Sequence, residues 1–503
     1  MHAPTTTFAA RVAVAIHDQR LQAALDRASG GFVAKRAALV DALPEFEALR
    51  ERARTVKEHV LSNLDGYLLR YEAEVVRQGG HVHWAATDAE ARQIILDICK
   101  AAGAKTVTKG KSMVSEEIGL NDALEAAGYQ VVETDLGEYI IQLAKEPPSH
   151  IIVPAVHKTR AQVADLFEEH HRPLGYTRHL TEVSEMVNEA RQVLRGHYFK
   201  ADVGITGGNF LVAETGSSVI VTNEGNGDLT QTLARVHIVT TGIERVVPTL
   251  DDVTTFLRLL ARSATGQETE TYTTFSTGPR RVNAEQSGEH SSEHGSEHSD
   301  VDVGSEHASE QSDVDGPQEY HVVLVDNGRS KMLGGAFREM LRCIRCGACL
   351  NHCPVYTSIG GHAYGWVYPG PMGSVLTPLI NGIDNAYDLP NACTLNGRCQ
   401  TVCPVKIPLP GLLRELRRQQ FETGLTPWPI RTALQAWAWV AQRPALYHAL
   451  MRIGIPLLSL VGRKQGVLHA LPLAGGWTDT RDLPAPQGGT FQQAWKAQNG
   501  ARS

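Results

Sequence analysis

The chain contains one run of four closely spaced cysteines, Cys343, Cys346, Cys349 and Cys353. They are separated by two, two and three residues, and Pro354 follows directly. This spacing is typical of ferredoxin-type iron–sulfur sites. A turn-like backbone lets successive sulfurs converge on one cluster, and Gly347 relieves the crowding. The run therefore predicts a protein that transfers electrons.

A second run, C-T-L-N-G-R-C-Q-T-V-C-P, ends at Pro404 and fits the same template with Asn396 at the second cysteine position. In two-cluster ferredoxins the cysteine before the proline binds the other cluster. The ligands predicted for cluster I are Cys343, Cys346, Cys349 and Cys403. Those predicted for cluster II are Cys353, Cys393 and Cys399.

Cluster II is one thiolate short, because the amide of Asn396 is a poor ligand for soft metals. Two iron–sulfur clusters are therefore expected, one of the 4Fe-4S type and a second of the 3Fe-4S or 4Fe-4S type. A four-iron form would carry water, hydroxide or a partner's group at its open corner. Disulfides would require an oxidising compartment, and zinc prefers two separated cysteine pairs, so both fit the runs less well.

The rest of the composition indicates a cytoplasmic protein with reduced cysteines. The 503 residues are 42% hydrophobic, and no secretory signal pattern opens the chain. Cys99, the eighth cysteine, lies beside the apolar face of a predicted helix and is interpreted as a buried structural thiol. No nucleic-acid-binding motif is visible, and no flavin or nicotinamide fingerprint is present.

An acidic insert, residues 282–317, accounts for the net negative charge of the chain. Eleven Asp and Glu and no Lys or Arg occur from Glu285 to Glu319, which leaves about +4 for the remainder of a chain with net charge −7. Such a polar Ser-Glu-His tract predicts disorder. Four histidines in it offer a metal site, although a solvated linker is the favoured interpretation: His290, His294, His298 and His307.

Four regions are predicted along the chain: a helical region at 1–78, an α/β domain at 79–330, a helical ferredoxin-type domain at 331–420, and a helical C-terminal region and tail at 421–503. The α/β domain alternates strands and helices, which indicates a mainly parallel sheet. Its predicted strands include H-V-H-W-A, K-T-V-T, Y-Q-V-V-E-T and I-I-V-P-A. Two more, F-L-V-A-E and S-V-I-V-T, are predicted to form a hairpin at Thr215-Gly216.

An anion site is predicted where a strand ends and a helix begins, at Lys109, Lys111 and Ser112. Ligands of open α/β sheets bind at the carboxyl ends of strands, and a helix N-terminus favours negative charge. The alternative, of about equal weight, is a capped helix with solvated lysines. Glycines at 204, 207 and 208 can also cradle an anion, although turn glycines are commoner.

The C-terminal region is rich in tryptophan. Arginines, including Arg443 and Arg452, interrupt its apolar runs, so no transmembrane segment is predicted. Trp437 and Trp439 can lie on a membrane surface, but packing within the protein or against a partner is favoured.

Several long strings resemble the lactate-utilisation protein B family, among them K-G-K-S-M-V-S-E-E-I-G-L-N, G-I-T-G-G-N-F-L-V-A-E-T-G and C-P-V-K-I-P-L. The resemblance implies an N-terminal LUD-type α/β domain, similar in fold to CoA-transferases and sugar-phosphate isomerases, followed by the ferredoxin-type domain. It also implies companion A- and C-type proteins in the oxidation of L-lactate to pyruvate. It implies a cysteine where Asn396 stands, which is a departure of this chain.

Three functions are compatible with these features. The leading one is an electron-transfer component that relays single electrons between two clusters toward an unnamed acceptor. In the second, the α/β domain itself binds or transforms a small carboxylate, with Lys109, Lys111, Glu116 and Glu214 as candidate residues. The third is a redox-sensing regulator.

Overall fold

The computed structural model describes residues 8–280, 316–462, 466–470 and 481–500. They fall into two compact units, residues 1–419 and 420–503. The acidic insert and its four histidines lie outside the described residues, except for its last two residues. The division into four regions stays a prediction.

Helices form the start of the first unit, as the sequence predicts. Asp18 caps the second helix by accepting hydrogen bonds from the amides of Arg20 and Leu21. The third helix buries Phe46, Leu49 and Ala53 on one face, a spacing of three to four residues that follows the helical period. The four helices are Phe8–Ala15 (α1), Gln19–Asp41 (α2), Phe46–Ser62 (α3) and Leu64–Arg77 (α4).

In the part of the first unit that the structure describes, ten strands follow. They are His81–Ala85 (β1), Thr106–Lys109 (β2), Gln130–Glu133 (β3), Val203–Gly207 (β4), Phe210–Val212 (β5), Ser217–Thr222 (β6), Val236–Gly242 (β7), Val246–Val247 (β8), Tyr272–Ser276 (β9) and Glu319–Val325 (β10).

Six of them form one sheet in the order β1-β10-β7-β4-β2-β3, and every neighbouring pair is parallel. The predicted α/β class is therefore confirmed. Among the connecting helices, Thr87 caps the one that carries Cys99 by accepting from the amide of Glu90. These helices are Asp88–Ala101 (α5), Met113–Glu117 (α6), Leu120–Ala126 (α7), Leu136–Ala144 (α8), Arg160–His171 (α9), Val183–Lys200 (α10), Asn226–Leu233 (α11) and Leu250–Ala264 (α12).

The chain reverses direction across this sheet between β2 and β4. After β2 it continues outward to β3, whereas β4 lies on the other side of β2 and leads to β7. The carboxyl ends of two such strands open a crevice, because their connections leave in opposite directions. The loops at this point begin at Gly110 and at Gly208.

A second sheet has the order β8-β5-β6-β9. Strands β5 and β6 are antiparallel and joined at Thr215-Gly216, which confirms the predicted hairpin. The φ of Gly216 is +69°, and a Cβ there would lie 2.6 Å from the amide nitrogen of Val75, so both backbone conformation and packing require glycine.

The predicted strand I-I-V-P-A is wrong, because residues 151–155 form bends and turns. The buried side chain of His150 accepts hydrogen bonds from the amides of Ile152 and Val153, at 3.0 and 3.1 Å, which closes a turn. The preceding carbonyl of Ser149 accepts from the hydroxyl of Tyr356 at 2.8 Å. The segment is apolar because it packs against the cysteine-containing part of the chain, not because it belongs to a sheet.

Short helices follow the sheets and hold the cysteines, as expected for a ferredoxin-type domain. The α-helices are Arg329–Leu333 (α13), Ala348–Asn351 (α14), Pro354–Ile359 (α15), Gly370–Asn381 (α16), Asp388–Asn391 (α17), Arg398–Thr401 (α18) and Leu409–Glu422 (α19).

The second unit contains the helices Trp428–Ala441 (α20), Pro444–Gly462 (α21) and Phe491–Gly500 (α22), and a two-stranded pair of Val467–Leu468 (β11) with Leu483–Pro484 (β12). Helix α21, with 19 residues, is long and apolar enough to cross a membrane by length and composition alone. Arg452 interrupts its apolar run, as predicted, but the mean hydropathy of the helix still reaches the range of membrane-spanning helices. One such helix is weak evidence for a membrane span.

Candidate metal centre

The first cysteine run and the last cysteine of the second run lie around one small space. Cys343, Cys346, Cys349 and Cys403 all line a cavity of about 20 Å³. All eight cysteines are free thiols. Burial, together with the neighbouring Cys403 and Cys343, raises the pKa of Cys346 to about 12. The structure therefore brings together the four cysteines predicted for cluster I.

Backbone amides point at the cysteine sulfurs. The amide of Arg345 donates to Cys343 Sγ at 3.4 Å, and the amide of Ile407 donates to Cys403 Sγ at 3.4 Å. Such hydrogen bonds stabilise negative charge on sulfur and tune iron–sulfur clusters.

The two cysteine runs have the same local backbone. Two residues after the first cysteine, Arg345 and Leu395 have φ angles of 58° and 55°. Four residues after it, Gly347 and Gly397 have φ angles of 73° and 82°. In the second run the amide of Leu395 donates to Cys393 Sγ at 3.3 Å, as the amide of Arg345 does in the first. The sequence repeat is thus a structural repeat, and a short helix, α14 or α18, follows each glycine.

The three cysteines predicted for cluster II are also neighbours. Burial raises the pKa of Cys399 to about 12, with further contributions from Cys393 and Cys353. Burial likewise raises the pKa of Cys353, whose sulfur accepts from the amide of Tyr356 at 3.5 Å. The seven cysteines therefore fall into the two groups that the spacing predicts, while their assignment as metal ligands stays a prediction.

The position of the missing cysteine lies at the surface. Asn396 is exposed, and its Oδ1 accepts from the amide of Arg398 at 3.0 Å. Its counterpart in the first run, Cys346, is buried. The corner of the second group that lacks a thiolate is thus the corner that faces solvent.

Buried positive charge beside the first group fits an anionic cluster. Four buried basic side chains lie around Glu117 and Glu244. Arg245, Arg329 and Arg345 pair with their carboxylates, and Lys57 donates to the main-chain carbonyl of Glu244. Burial opposes ionisation of Glu244, but Arg329, Arg245 and Arg345 outweigh it and lower its pKa to about 2. A buried cation requires a counter-charge. Four cysteine thiolates around a cluster would supply it, so the residues present fit such a group.

Arginines from the N-terminal helices hold the second run, which the sequence did not predict. Arg36 donates to the carbonyl of Val402 at 3.0 Å. Arg50 donates to the carbonyl oxygens of Thr401 at 2.9 Å and of Cys403 at 2.8 Å. A signal was present: Arg50 follows the buried Phe46 by four residues, and side chains four apart share one helix face.

The anion-binding prediction for Lys109 loses its support. The side chain is buried, and its ammonium lies 2.5 Å from Glu116 Oε1 and 2.7 Å from Glu133 Oε1. Burial alone would lower the pKa of Lys109, but Glu116 and Glu133 raise it above its ordinary value. Both carboxylates already neutralise this lysine, so Glu116 is a structural partner rather than a free candidate.

Lys111 and Ser112 line a larger cavity of about 210 Å³ at the crevice between β2 and β4. Lys111 Nζ donates to the carbonyl of Ile152. The hydroxyl of Ser112 caps α6 by accepting from the amide of Ser115 at 3.2 Å. The capped-helix alternative is thus correct for Ser112, which nevertheless faces the cavity.

Three other predicted features have structural explanations. Cys99 is fully buried, and burial raises its pKa to about 12, as expected for a structural thiol. Glu214 accepts from the amide of Leu250 at the start of α12. Gly204 allows close packing, because a Cβ there would lie 1.9 Å from the carbonyl oxygen of Thr230.

Three family models match the sequence, in the same order as the structural regions. Residues 68–301 match the LUD domain, residues 339–407 match the 4Fe-4S dicluster domain, and residues 425–500 match the lactate utilisation protein B C-terminal domain. The "Lactate utilization protein B" of Lysinibacillus sphaericus (strain C3-41) is 40% identical over 498 residues, which cover 99% of this chain and 98% of that protein.

The chain belongs to the lactate utilisation protein B family. A further family relative is the "Uncharacterized electron transport protein YkgF" of Escherichia coli (strain K12), 42% identical over 491 residues, with 98% of this chain and 96% of that protein covered. Among solved structures, a DUF162 family protein from Deinococcus radiodurans aligns over 52% of this chain and 98% of that chain, with 12% identity and a TM-score of 0.27, too low to support an argument.

Proposed function

We propose that this chain is the iron–sulfur electron-transfer component of a system that oxidises L-lactate to pyruvate, and that it relays single electrons between two clusters. The observation that carries the proposal is the repeated cysteine backbone, in which seven cysteines form two adjacent groups with amides directed at their sulfurs. The membership of the lactate utilisation protein B family supports the pathway.

The ligand sets follow from the two groups. Cluster I takes Cys343, Cys346, Cys349 and Cys403, and cluster II takes Cys353, Cys393 and Cys399. When bound, two such clusters supply neighbouring one-electron centres. The electrostatic interaction of Cys349 of the first group with Cys399 of the second supports a short distance between the two proposed clusters.

The surroundings of cluster I exclude water and balance charge. Arg345 lies with its guanidinium carbon 4.6 Å from the centroid of the Tyr368 ring, and its Nη2 lies 3.5 Å from Glu244 Oε1. A buried cation beside Cys343 stabilises additional negative charge there, and so favours the reduced state.

The surroundings of cluster II differ at one corner. Asn396 offers a neutral amide oxygen at the surface, so this cluster is either a 3Fe-4S cluster or a 4Fe-4S cluster with an exchangeable ligand. An exposed corner suits contact with another redox protein.

Companion A- and C-type proteins complete the system in this proposal, and we place it in the cytoplasm. Two-electron oxidation of lactate takes place outside the cluster domain, because clusters accept one electron at a time.

The test is anaerobic addition of L-lactate to the purified chain, with and without its companion proteins, while the visible absorption of the clusters is followed. We expect reduction only when the companions are present. Reduction by lactate of the isolated chain would assign the chemistry to this chain, and no reduction in either mixture would contradict the relay.

A further inference from the structure

The larger cavity lies where ligands bind in open α/β sheets. Ser112 follows β2, Gly207 ends β4 and Gly208 follows it, so the cavity opens at the carboxyl ends of the two strands between which the chain reverses. Val221 of β6 closes it from the second sheet. Its volume of about 210 Å³ suits a molecule of a few heavy atoms, below the usual range for larger organic ligands.

The cavity adjoins the cysteines of the first group. Arg345 and Ile151 line both the larger cavity and the small space between the four cysteines. Arg345 stands between Cys343 and Cys346 in the chain, and its amide donates to the sulfur of Cys343. A ligand in the larger cavity would therefore be separated from the first cysteine group by these two side chains.

Two buried guanidinium groups line this inner part, and the Nε of each has no hydrogen-bond partner among the described residues. Arg245 is 6% exposed, and within the described ranges its Nε has no hydrogen-bond partner and its one ion-pair contact is Glu244 Oε1 at 3.9 Å. Arg345 reaches the same carboxylate at 3.5 Å. Arg329 Nε lies closer to it, 2.8 Å from Oε2. The single carboxylate of Glu244 is thus the shared ion-pair partner of these three arginines.

A buried amide provides a further donor. Asn226, at the start of α11, is 4% exposed, lines the cavity, and its Nδ2 has no partner among the described residues. An unpaired buried donor is costly, so a ligand oxygen would satisfy it.

The acidic residues that line the cavity either have partners within the protein or have a raised pKa. Asp135 Oδ2 lies 3.9 Å from Lys111 Nζ, and Glu224 accepts from the amide of Leu136 at 3.2 Å. Burial raises the pKa of Glu224, and Asp135 raises it further, which favours its neutral form. Burial also raises the pKa of Glu270. Arg245 and Arg345, with their unpaired Nε donors, are therefore the groups in the inner part of the cavity that can bind an anion.

We propose that this cavity binds a small carboxylate with an oxygen on the adjacent carbon, a 2-oxo or 2-hydroxy acid. Arg245 and Arg345 bind the carboxylate, because a guanidinium presents paired donors that match its two oxygens. Asn226 donates to the second oxygen. The binding site is independent of the electron relay, and only its effect on cluster I rests on the proposed function.

Binding is tested by calorimetric titration of the full-length, anaerobically purified chain with pyruvate, and with uncharged lactamide as a comparison. We expect saturable binding of pyruvate and none of lactamide. Arg245→Gln should weaken binding about ten- to hundredfold, the loss expected for a charge-assisted hydrogen bond. Arg235→Gln is the matched control, because Arg235 precedes the same strand, β7, at its opposite end, and it should bind as the original chain does.

Asn226→Asp provides a second variant, since it keeps the shape of the side chain and places a negative charge against the carboxylate. It should abolish binding. No saturable binding to the original chain, or equal affinity in folded Arg245→Gln and Asn226→Asp, would overturn the proposal. In the original chain, pyruvate should also lower the reduction potential of cluster I, because it adds negative charge beside Cys343. If pyruvate binds but lactate does not reduce the clusters in any mixture, the electron relay is contradicted and the binding site is not.

Discussion

Arg329 donates to both carboxylate oxygens of Glu117, at 2.9 Å to Oε1 and 2.7 Å to Oε2. The hydroxyl of Tyr368 donates to the same Oε2 at 2.7 Å. Glu117 belongs to the α/β domain, and Tyr368 lies between the two cysteine runs. The ion pair therefore joins the sheet to the metal centre through the segment that follows β10.

Replacing this arginine should destabilise the protein strongly. Arg329→Met leaves Glu117 and Glu244 buried without their closest cation, and we expect a loss of about 3–5 kcal/mol in the free energy of unfolding, measured by urea denaturation. Arg77→Ala removes the exposed pair with Glu74 and should cost less than about 1 kcal/mol. Equal losses in the two variants would show that the buried network contributes no more to the free energy of unfolding than the exposed ion pair does.

Asn396→Cys should make the last iron of cluster II resistant to chelation. With a fourth thiolate, the variant should keep about eight irons per chain after treatment with EDTA, whereas the original chain should keep about seven. Thr394→Cys adds an exposed thiol two residues away and should behave like the original chain. Retention of about eight irons by the original chain would contradict an open corner.

The equivalent glycines of the two runs should differ in their tolerance of alanine. Both have left-handed backbone conformations, which cost an L residue about 1–2 kcal/mol. A Cβ at Gly347 would also lie 3.2 Å from Ile152 Cγ1 and 3.3 Å from His150 Cε1, whereas nothing lies within 4 Å at Gly397. Gly347→Ala should therefore lose more stability in urea, and more iron, than Gly397→Ala. The reverse order would show that the α/β domain does not pack against the first run as described.

A buried histidine should make stability depend on pH. Burial, together with the neighbouring His321, lowers the pKa of His237 to about 3, so the unfolded chain, with a pKa near 6.5, binds the proton more readily. This contribution is fully present above pH 6.5. It decreases by up to about 1.4 kcal/mol per pH unit as the pH falls from 6.5 toward 3.

Urea denaturation at pH 7 and pH 5 measures this dependence. In His237→Gln the free energy of unfolding should change less with pH, and the difference should correspond to the uptake of up to one proton. Thr206→Val removes the 2.8 Å hydrogen bond to His237 and should lower stability at both pH values without changing the slope. An unchanged slope in His237→Gln would show that this histidine does not couple folding to protonation.

Local patterns predicted much of the fold. The short apolar runs in F-L-V-A-E and S-V-I-V-T and the turn residues Thr215-Gly216 predicted the hairpin, because hairpin geometry depends on neighbouring residues. The cysteine spacing gave the two groups for the same reason, since each run is a local turn. The segment at residues 151–155 failed because its apolar residues pack against a distant part of the chain, which an apolar run alone does not reveal.

The charged residues were the least predictable. Lys109 is paired with Glu116 and Glu133, which come from elements separated in sequence, so its burial was not visible from its neighbours. Arg245 lies in a segment without a motif, and its proximity to Cys343 arises only from folding. The C-terminal region was predicted to be helical, but the arginines were counted as interruptions, so the length of the apolar helix α21 was not foreseen.

The central claim is that the ligands of each cluster come from both cysteine runs. Electron paramagnetic resonance spectra of reduced serine variants test it most directly. We predict that Cys403→Ser and Cys343→Ser alter one cluster signal, and that Cys353→Ser and Cys399→Ser alter the other. If Cys403→Ser instead alters the signal that Cys399→Ser alters, each run binds its own cluster and the crossed arrangement is contradicted.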